Sequence, residues 1–231
     1  MIVLGVDTSS DAAAAGLYKD GVLLSEYTIH NGKNHSLTLL PAVETMLQEV
    51  NVTFSDIDVY ACGIGPGSFT GVRIGAATIK GFAQAQGKPC VAVSSLEILA
   101  ENIREFDGLR VAAMHARVDE LFCAVYDADG KEVLAPSVMT VTELLEFLKG
   151  KTCKVIGSGA LQFEAEFKEA LGEKAVPEQG FVHLIRGGAV AELGYKLAEA
   201  GKTVPCEDIA PAYLRVSQAE REYAEKHKQS Q

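Results

Sequence analysis

The chain predicts an α/β fold made of two similar halves. Three observations carry this. Strands alternate with helices in both halves. Each half opens on three strands with a tight turn between the last two, at Asp20-Gly21 in one and Asp129-Gly130 in the other. A polar break at 106–108 separates the two. Helices alternating with strands imply largely parallel sheets covered on both faces, with an antiparallel hairpin at one side. The repeated βββαβα order is an internal structural repeat.

In the first half, residues 2–6 are a continuous apolar run and predict a strand. Residues 12–18 and 22–29 predict two more, joined by Lys19-Asp20-Gly21, a hairpin turn of the Asp-Gly type. After a polar stretch, Leu39, Leu40, Val43, Leu47 and Val50 recur at helical spacing, which predicts a helix over 36–50. Ser36 or Thr38 would cap it, and Pro41 fits its first turns. A buried strand follows at 59–64, then a glycine-rich loop at 65–71, a helix at 72–85, a short strand at 91–93 and a helix at 95–104. In the second half, strands are expected at 110–115, 121–126 and 132–138. A helix at 142–148, capped by Thr140 or Thr142, leads to a strand at 154–156 and helices at 161–171 and 188–199. Domain boundaries are expected at 1–106 and 107–215, with the last part packing back on the first domain. The polar segment 216–231 reads as a solvated helix or frayed tail and is assigned no function.

Composition narrows the function. At 231 residues with 48% hydrophobic and 23% charged residues, the chain can bury a core without staples. Lysine and arginine number 21 against 31 acids, a net charge of −10. That argues against unaided nucleic-acid binding, which runs on clustered cations, and against a membrane surface. The apolar start meets Asp7 at once, so it is neither signal peptide nor membrane span. Five scattered cysteines without a Cys-x-x-Cys pair predict reduced thiols in a cytoplasmic protein and no structural zinc.

Two loops carry possible chemistry. At Asp7-Thr8-Ser9-Ser10, hydroxyls and amides at a strand turn can hold a phosphate, and Asp7 a magnesium water. The plainer reading is a turn whose short polar side chains bond their own backbone. The run Gly65-Pro66-Gly67-Ser68-Phe69-Thr70-Gly71-Val72-Arg73-Ile74-Gly75 follows a strand and opens a helix, which suits an anion at a helix N-terminus. It is neither a Walker A sequence nor a dinucleotide loop. Gly71 and Gly75 lie four apart and permit close approach of another helix. Among His30, His35, His115, His183 and His227 no two are three or four apart, so no helical metal pair exists.

The run at 65–75, with Asp7-Thr8-Ser9, resembles the bacterial TsaB (YeaZ) family of tRNA threonylcarbamoyladenosine biosynthesis proteins. His35-Ser36 before Leu39-Leu40-Pro41, Ala116-Arg117, and Pro211-Ala212-Tyr213-Leu214-Arg215 resemble further landmarks of that family. The likeness extends from Ile2 to about Arg215. It implies an actin-like, Hsp70-like ATPase (ASKHA) fold of two duplicated βββαβα domains. It implies a non-catalytic partner and activator of the paralogue TsaD, which transfers a threonylcarbamoyl group to adenosine 37 of tRNAs reading ANN codons. TsaE, a small ATPase, would complete the assembly, tRNA would be met only through the complex, and the free chain would form a homodimer.

The partner surface implied by the family is the pair of helices starting at Ser36 and Thr70. It comprises His35, Leu39, Val43, Leu47, Thr70, Gly71, Arg73 and Gly75, with the apolar members shared between interface and core. Asp7, Thr8, Ser9, Gly65, Gly67 and Ser68 would form a vestigial or shared nucleotide site. No catalytic residue, metal site or cofactor of its own is implied, and ATP or ADP at the joint surface stays open. Two departures bear on this. Leu39 stands where the catalytic paralogue has the second histidine of a His-x-x-x-His metal pair. His115 replaces an acidic residue, in a turn, 114–119, that lacks glycine. An active phosphotransferase or ATPase of the same fold is the alternative; a peptidase would need a nucleophile–base pair that the sequence does not offer.

Overall fold

The computed structural model describes residues 1–32, 34–177 and 180–215; the expected tail at 216–231 lies outside them. Strands β1 (Ile2–Asp7), β2 (Ala13–Lys19) and β3 (Val22–Ile29) open the chain. Asp20 and Gly21 turn β2 into β3 with φ of 47° and 87°, the left-handed pair that an Asp-Gly turn supplies. Helix α1 (His35–Glu49) is capped by Asn34, whose side chain accepts the Ser36 N–H. The cap thus lies two residues before Ser36 and four before Thr38. β4 (Val59–Gly63), α2 (Phe69–Gln86), β5 (Cys90–Val93) and α3 (Ser95–Ala100) complete the first half. Ser68 caps α2 by accepting the Gly71 N–H, so Gly71 lies inside the helix rather than in the loop. The helix expected to reach 104 ends at Ala100 and continues as a short 3-10 turn, Glu101–Ile103.

The second half runs β6 (Leu109–Arg117), β7 (Glu120–Tyr126), β8 (Glu132–Thr140), α4 (Val141–Leu148) and β9 (Cys153–Ile156). Thr140 and Glu143 close a reciprocal capping box on α4. The single helix expected at 161–171 is two, α5 (Ser158–Gln162) and α6 (Glu164–Leu171), broken where Phe163 leaves helical geometry. Helix α7 (Gly187–Glu199) follows.

The first sheet has the order β3-β2-β1-β4-β5 and the second β8-β7-β6-β9. Each sheet pairs its first three strands antiparallel and adds the next one parallel to the first. The second sheet therefore repeats the first, less its fifth strand. Along β1, Val3 faces the layer between the sheets while Leu4 and Val6 face α1 and α2. Both faces are buried, which is why β1 reads as an unbroken apolar run.

The halves exchange helices. α3 packs on β6 and β7 of the second sheet, and α7 packs on β1, β2 and β4 of the first. A Cβ at Gly5 would lie 2.6 Å from the Ala191 amide, so only glycine lets α7 approach β1 this closely. The two chain crossings between sheets are tied together. Asn102 donates to the carbonyls of Val182 (3.0 Å) and Leu184 (2.7 Å), and Arg104 forks onto Glu192 at 2.8 and 2.9 Å. After α7, the last described residues form a strap across the first half. Val204 bridges to Cys90, Ile209 enters the core, and the Ala212 N–H reaches the Ile64 carbonyl at 2.8 Å.

Candidate functional site

Between the two sheets lies a cleft of about 780 Å³, within the usual range of ligand sites. The β1–β2 loop and the start of α2 form one wall, and the β6–β7 hairpin with α5 forms the other. The two loops singled out in the sequence thus meet at one place. Their polar groups are largely turned inward. Asp7 is buried; its Oδ1 accepts the Ser9 N–H at 2.7 Å and the Ser9 hydroxyl at 2.8 Å, and its Oδ2 accepts the Ser95 hydroxyl at 2.6 Å. Thr8 donates to the Gly71 carbonyl at 2.7 Å. The Ser95 hydroxyl also accepts the Gly65 N–H at 3.0 Å. Burial raises the Asp7 carboxyl above its ordinary value, opposed in part by these serine bonds.

Gly67, Gly71 and Gly75 serve this same packing. A Cβ at Gly67 or Gly71 would collide with the carbonyl of Ser9 or Thr8, and one at Gly75 would lie 2.7 Å from the Thr8 hydroxyl. Gly71 and Gly75 therefore admit this chain's own β1 loop, not another chain's helix, which corrects that part of the partner surface. On the opposite wall every position from His115 to Asp119 carries a side chain, and the Ser158 hydroxyl accepts the His115 N–H at 3.0 Å. A magnesium nucleotide, the ligand the fold would lead one to test, fits these residues poorly. The carboxylate at the end of β1 is sealed from the cleft, both Ser9 donors of the first loop are spent on it, and the second turn has no bare backbone to approach a phosphate.

The outer face of α1 and α2 is the second feature. Leu39, Val43 and Leu47 are 2%, 0% and 3% exposed and belong to the core on the side where α1 packs over β2 and β3. As partner contacts they are corrected: the helix turns this stripe to its own sheet. Leu37 and Leu40, 72% and 44% exposed, carry the apolar character of the outer face. Thr70 and Arg73 are exposed on α2. Arg73 donates to the Tyr213 hydroxyl at 2.7 Å, and Tyr213 stacks on Phe69 with ring centroids 4.7 Å apart. His35 donates from Nε2 to the Ser10 carbonyl at 2.8 Å and so ties α1 to the β1 loop. Among the described residues no three His, Cys, Asp or Glu side chains gather as a metal site, and no helix is long and apolar enough to cross a membrane.

Sequence reasoning missed Ser95 as the partner of Asp7, because a serine before a helix reads first as a cap. It also missed Tyr213 as the brace of Arg73, a contact across 140 residues. Leu37 and Leu40 were present in the apolar run of the first helix, but spacing alone does not say which side faces the sheet.

Two sheets of one strand order, exchanging a helix each and enclosing a cleft, define a duplicated actin-like ATPase (ASKHA) fold. Residues 23–223 match the family model described as TsaD, tRNA N6-adenosine threonylcarbamoyltransferase. The chain is 32% identical to the tRNA threonylcarbamoyladenosine biosynthesis protein TsaB of Bacillus subtilis, over 99% of this chain and 100% of that one. It is 31% identical to the protein of the same name from Escherichia coli, over 93% and 95%. A solved structure, YeaZ from Pseudomonas aeruginosa, superposes with a TM-score of 0.70 at 27% identity, covering 92% of this chain and 99% of that one. The chain belongs to the TsaB (YeaZ) family.

Proposed function

We propose that this chain takes part in forming N6-threonylcarbamoyladenosine on tRNA, as a non-catalytic partner and activator of the TsaD transferase. The names of its relatives support the pathway, and the match to the transferase family model supports a partnership between paralogues. The observation that carries the non-catalytic role is the inward-turned Asp7–Ser9–Ser95 cluster. It uses for folding the groups that an enzyme of this fold would aim at a phosphate. The docking face is the outer side of α1 and α2, with Leu37 and Leu40 at its centre and His35, Thr70 and Arg73 at its head. Apolar side chains this exposed and this close together are what a helix face offers a partner. The same face would pair two copies of the free chain. Tight nucleotide chemistry would belong to TsaD and TsaE or to a surface shared with them, tRNA would be met only through the complex, and the assembly would be cytoplasmic and modify position 37 of tRNAs reading ANN codons.

The test is reconstitution. TsaD, TsaE, tRNA, ATP and the threonylcarbamoyl adenylate supply are combined with and without this chain, and modified adenosine is counted by mass spectrometry. Loss of multiple turnover on omission, with no product from this chain alone, is expected. Equal turnover without it would refute the activator role.

A further inference from the structure

We infer that Tyr213 is a positioning residue of the docking face: it presents the Arg73 guanidinium, already oriented, to a carboxylate of the partner. This rests on the proposed use of the outer face of α1 and α2, and it names the chemistry that the head of that face would recognise. Phe69 and Arg73 stand one turn apart on α2, on one side of the helix. The strap lays the Tyr213 ring on Phe69, with centroids 4.7 Å and planes 14° apart. The Arg73 guanidinium carbon lies 5.8 Å from the Phe69 ring centre and 5.5 Å from that of Tyr213, within cation–π reach of both. Arg73 also donates from Nε to the Tyr213 hydroxyl at 2.7 Å. The tyrosine is itself pinned by its chain neighbours. The Ala212 N–H reaches the Ile64 carbonyl at 2.8 Å, and Arg215 pairs with Glu120 of the β6–β7 hairpin at 3.0 Å.

The donors left over select the occupant. Arg104, Arg110, Arg186 and Arg215 each meet a carboxylate of this chain. Arg73 meets none among the described residues. Neutral rings and a hydroxyl hold it instead, and the hydroxyl takes only the Nε donor. Nη1 and Nη2 have no acceptor among the described residues. An exposed guanidinium fixed in this way offers the forked donor pair that a carboxylate accepts. Fixing it before encounter also lowers the ordering cost of binding. A nucleic-acid backbone would need several cations in a row. α1 has no lysine or arginine, and the one lysine of α2, Lys80, donates to the Glu207 carbonyl at 3.0 Å. A single braced fork, on a face whose other exposed groups include Leu37 and Leu40, suits one acidic side chain on an otherwise apolar protein surface.

The test is a double-mutant cycle, read by calorimetric titration of TsaD with the full chain. Tyr213→Phe keeps a ring to lie on Phe69 and removes the hydroxyl. It should weaken binding about three- to tenfold. Arg73→Ala should weaken it about tenfold or more, and Arg73→Glu should be worse still, because like charges then face each other. With Arg73→Ala already present, Tyr213→Phe should change binding by about twofold or less, since its effect runs through Arg73. An equal loss from Tyr213→Phe in both backgrounds would overturn the inference, as would Arg73→Glu binding no worse than Arg73→Ala. So would an Arg73→Ala variant that loses affinity for a labelled tRNA anticodon stem and not for TsaD. The double change Leu37→Asp, Leu40→Asp tells the two readings apart. If it loses binding while Arg73→Ala and Tyr213→Phe bind as the parent does, the inference fails alone. If all three bind as the parent does, the docking face fails and the inference with it.

Discussion

Leu39 and the pair Leu37–Leu40 lie within four residues on one helix, yet they should fail in opposite ways when changed. Leu39 is 2% exposed and sits in the core on the side where α1 packs over β2 and β3. Leu39→Ala removes a fully buried isobutyl group, about 2 kcal/mol of transfer free energy. The cavity left behind adds to that, giving about 3–4 kcal/mol in total. Leu37 is 72% exposed, so Leu37→Asp changes stability by about 0.5 kcal/mol or less. The double change Leu37→Asp, Leu40→Asp places two carboxylates in the middle of the proposed docking face. Desolvating them should weaken partner binding by about 3 kcal/mol, a hundredfold or more in Kd. Urea unfolding followed by circular dichroism gives the first quantity, and calorimetric titration with TsaD gives the second. The reasoning fails if Leu39→Ala unfolds at the parent's denaturant midpoint, or if the doubly charged variant stays folded and binds TsaD as the parent does.

Burial holds the Asp7 carboxyl above its ordinary 3.8, so between that value and its raised one the folded state binds more protons than the unfolded. Stability then falls as pH rises through that window, and Asp7→Asn should flatten the fall; unfolding curves from about pH 4 to about pH 7 that run parallel for the two proteins would count against this. Val118 is a β-branched residue at φ 51° with its side chain exposed, a conformation that costs about 1–2 kcal/mol. Val118→Gly should give a net gain of about 0.5–1 kcal/mol after the loss of chain stiffness, read as a melting temperature higher by about 1–4 °C; a lower one refutes the strain. Tyr213→Ala removes a ring stack and the bond from Arg73, together about 1–2 kcal/mol. It should speed hydrogen exchange at the Ala212 amide, and unchanged exchange there would show that the strap is held elsewhere.

Much of the fold was legible because its signals are local. The Asp20-Gly21 turn, the Thr140 cap and the apolar strands of both sheets follow from residues within a few positions of one another. The site was less legible because its contacts are not local. Ser95 meets Asp7 across 88 residues and Tyr213 meets Arg73 across 140, and no periodicity encodes such pairs. The break at Phe163 was missed because the apolar spacing over 161–171 continues through it. Leu39, Val43 and Leu47 were mixed with partner contacts because a helix with apolar residues on two sides gives no sign of which side meets the sheet. Gly71 and Gly75 have the spacing of a helix–helix contact, and the structure uses it for a loop.

The exchange of α3 and α7 between the sheets sets an order of events during synthesis. The face of β1 and β2 that carries Gly5 and Gly16 is covered by α7, which leaves the ribosome about 170 residues after β2. At about 5–20 residues per second this is a wait on the order of ten to thirty seconds. Through that interval the nascent first sheet presents an uncovered apolar face. The chain is therefore expected to depend on a holding chaperone while it is being made, more than its modest size would indicate.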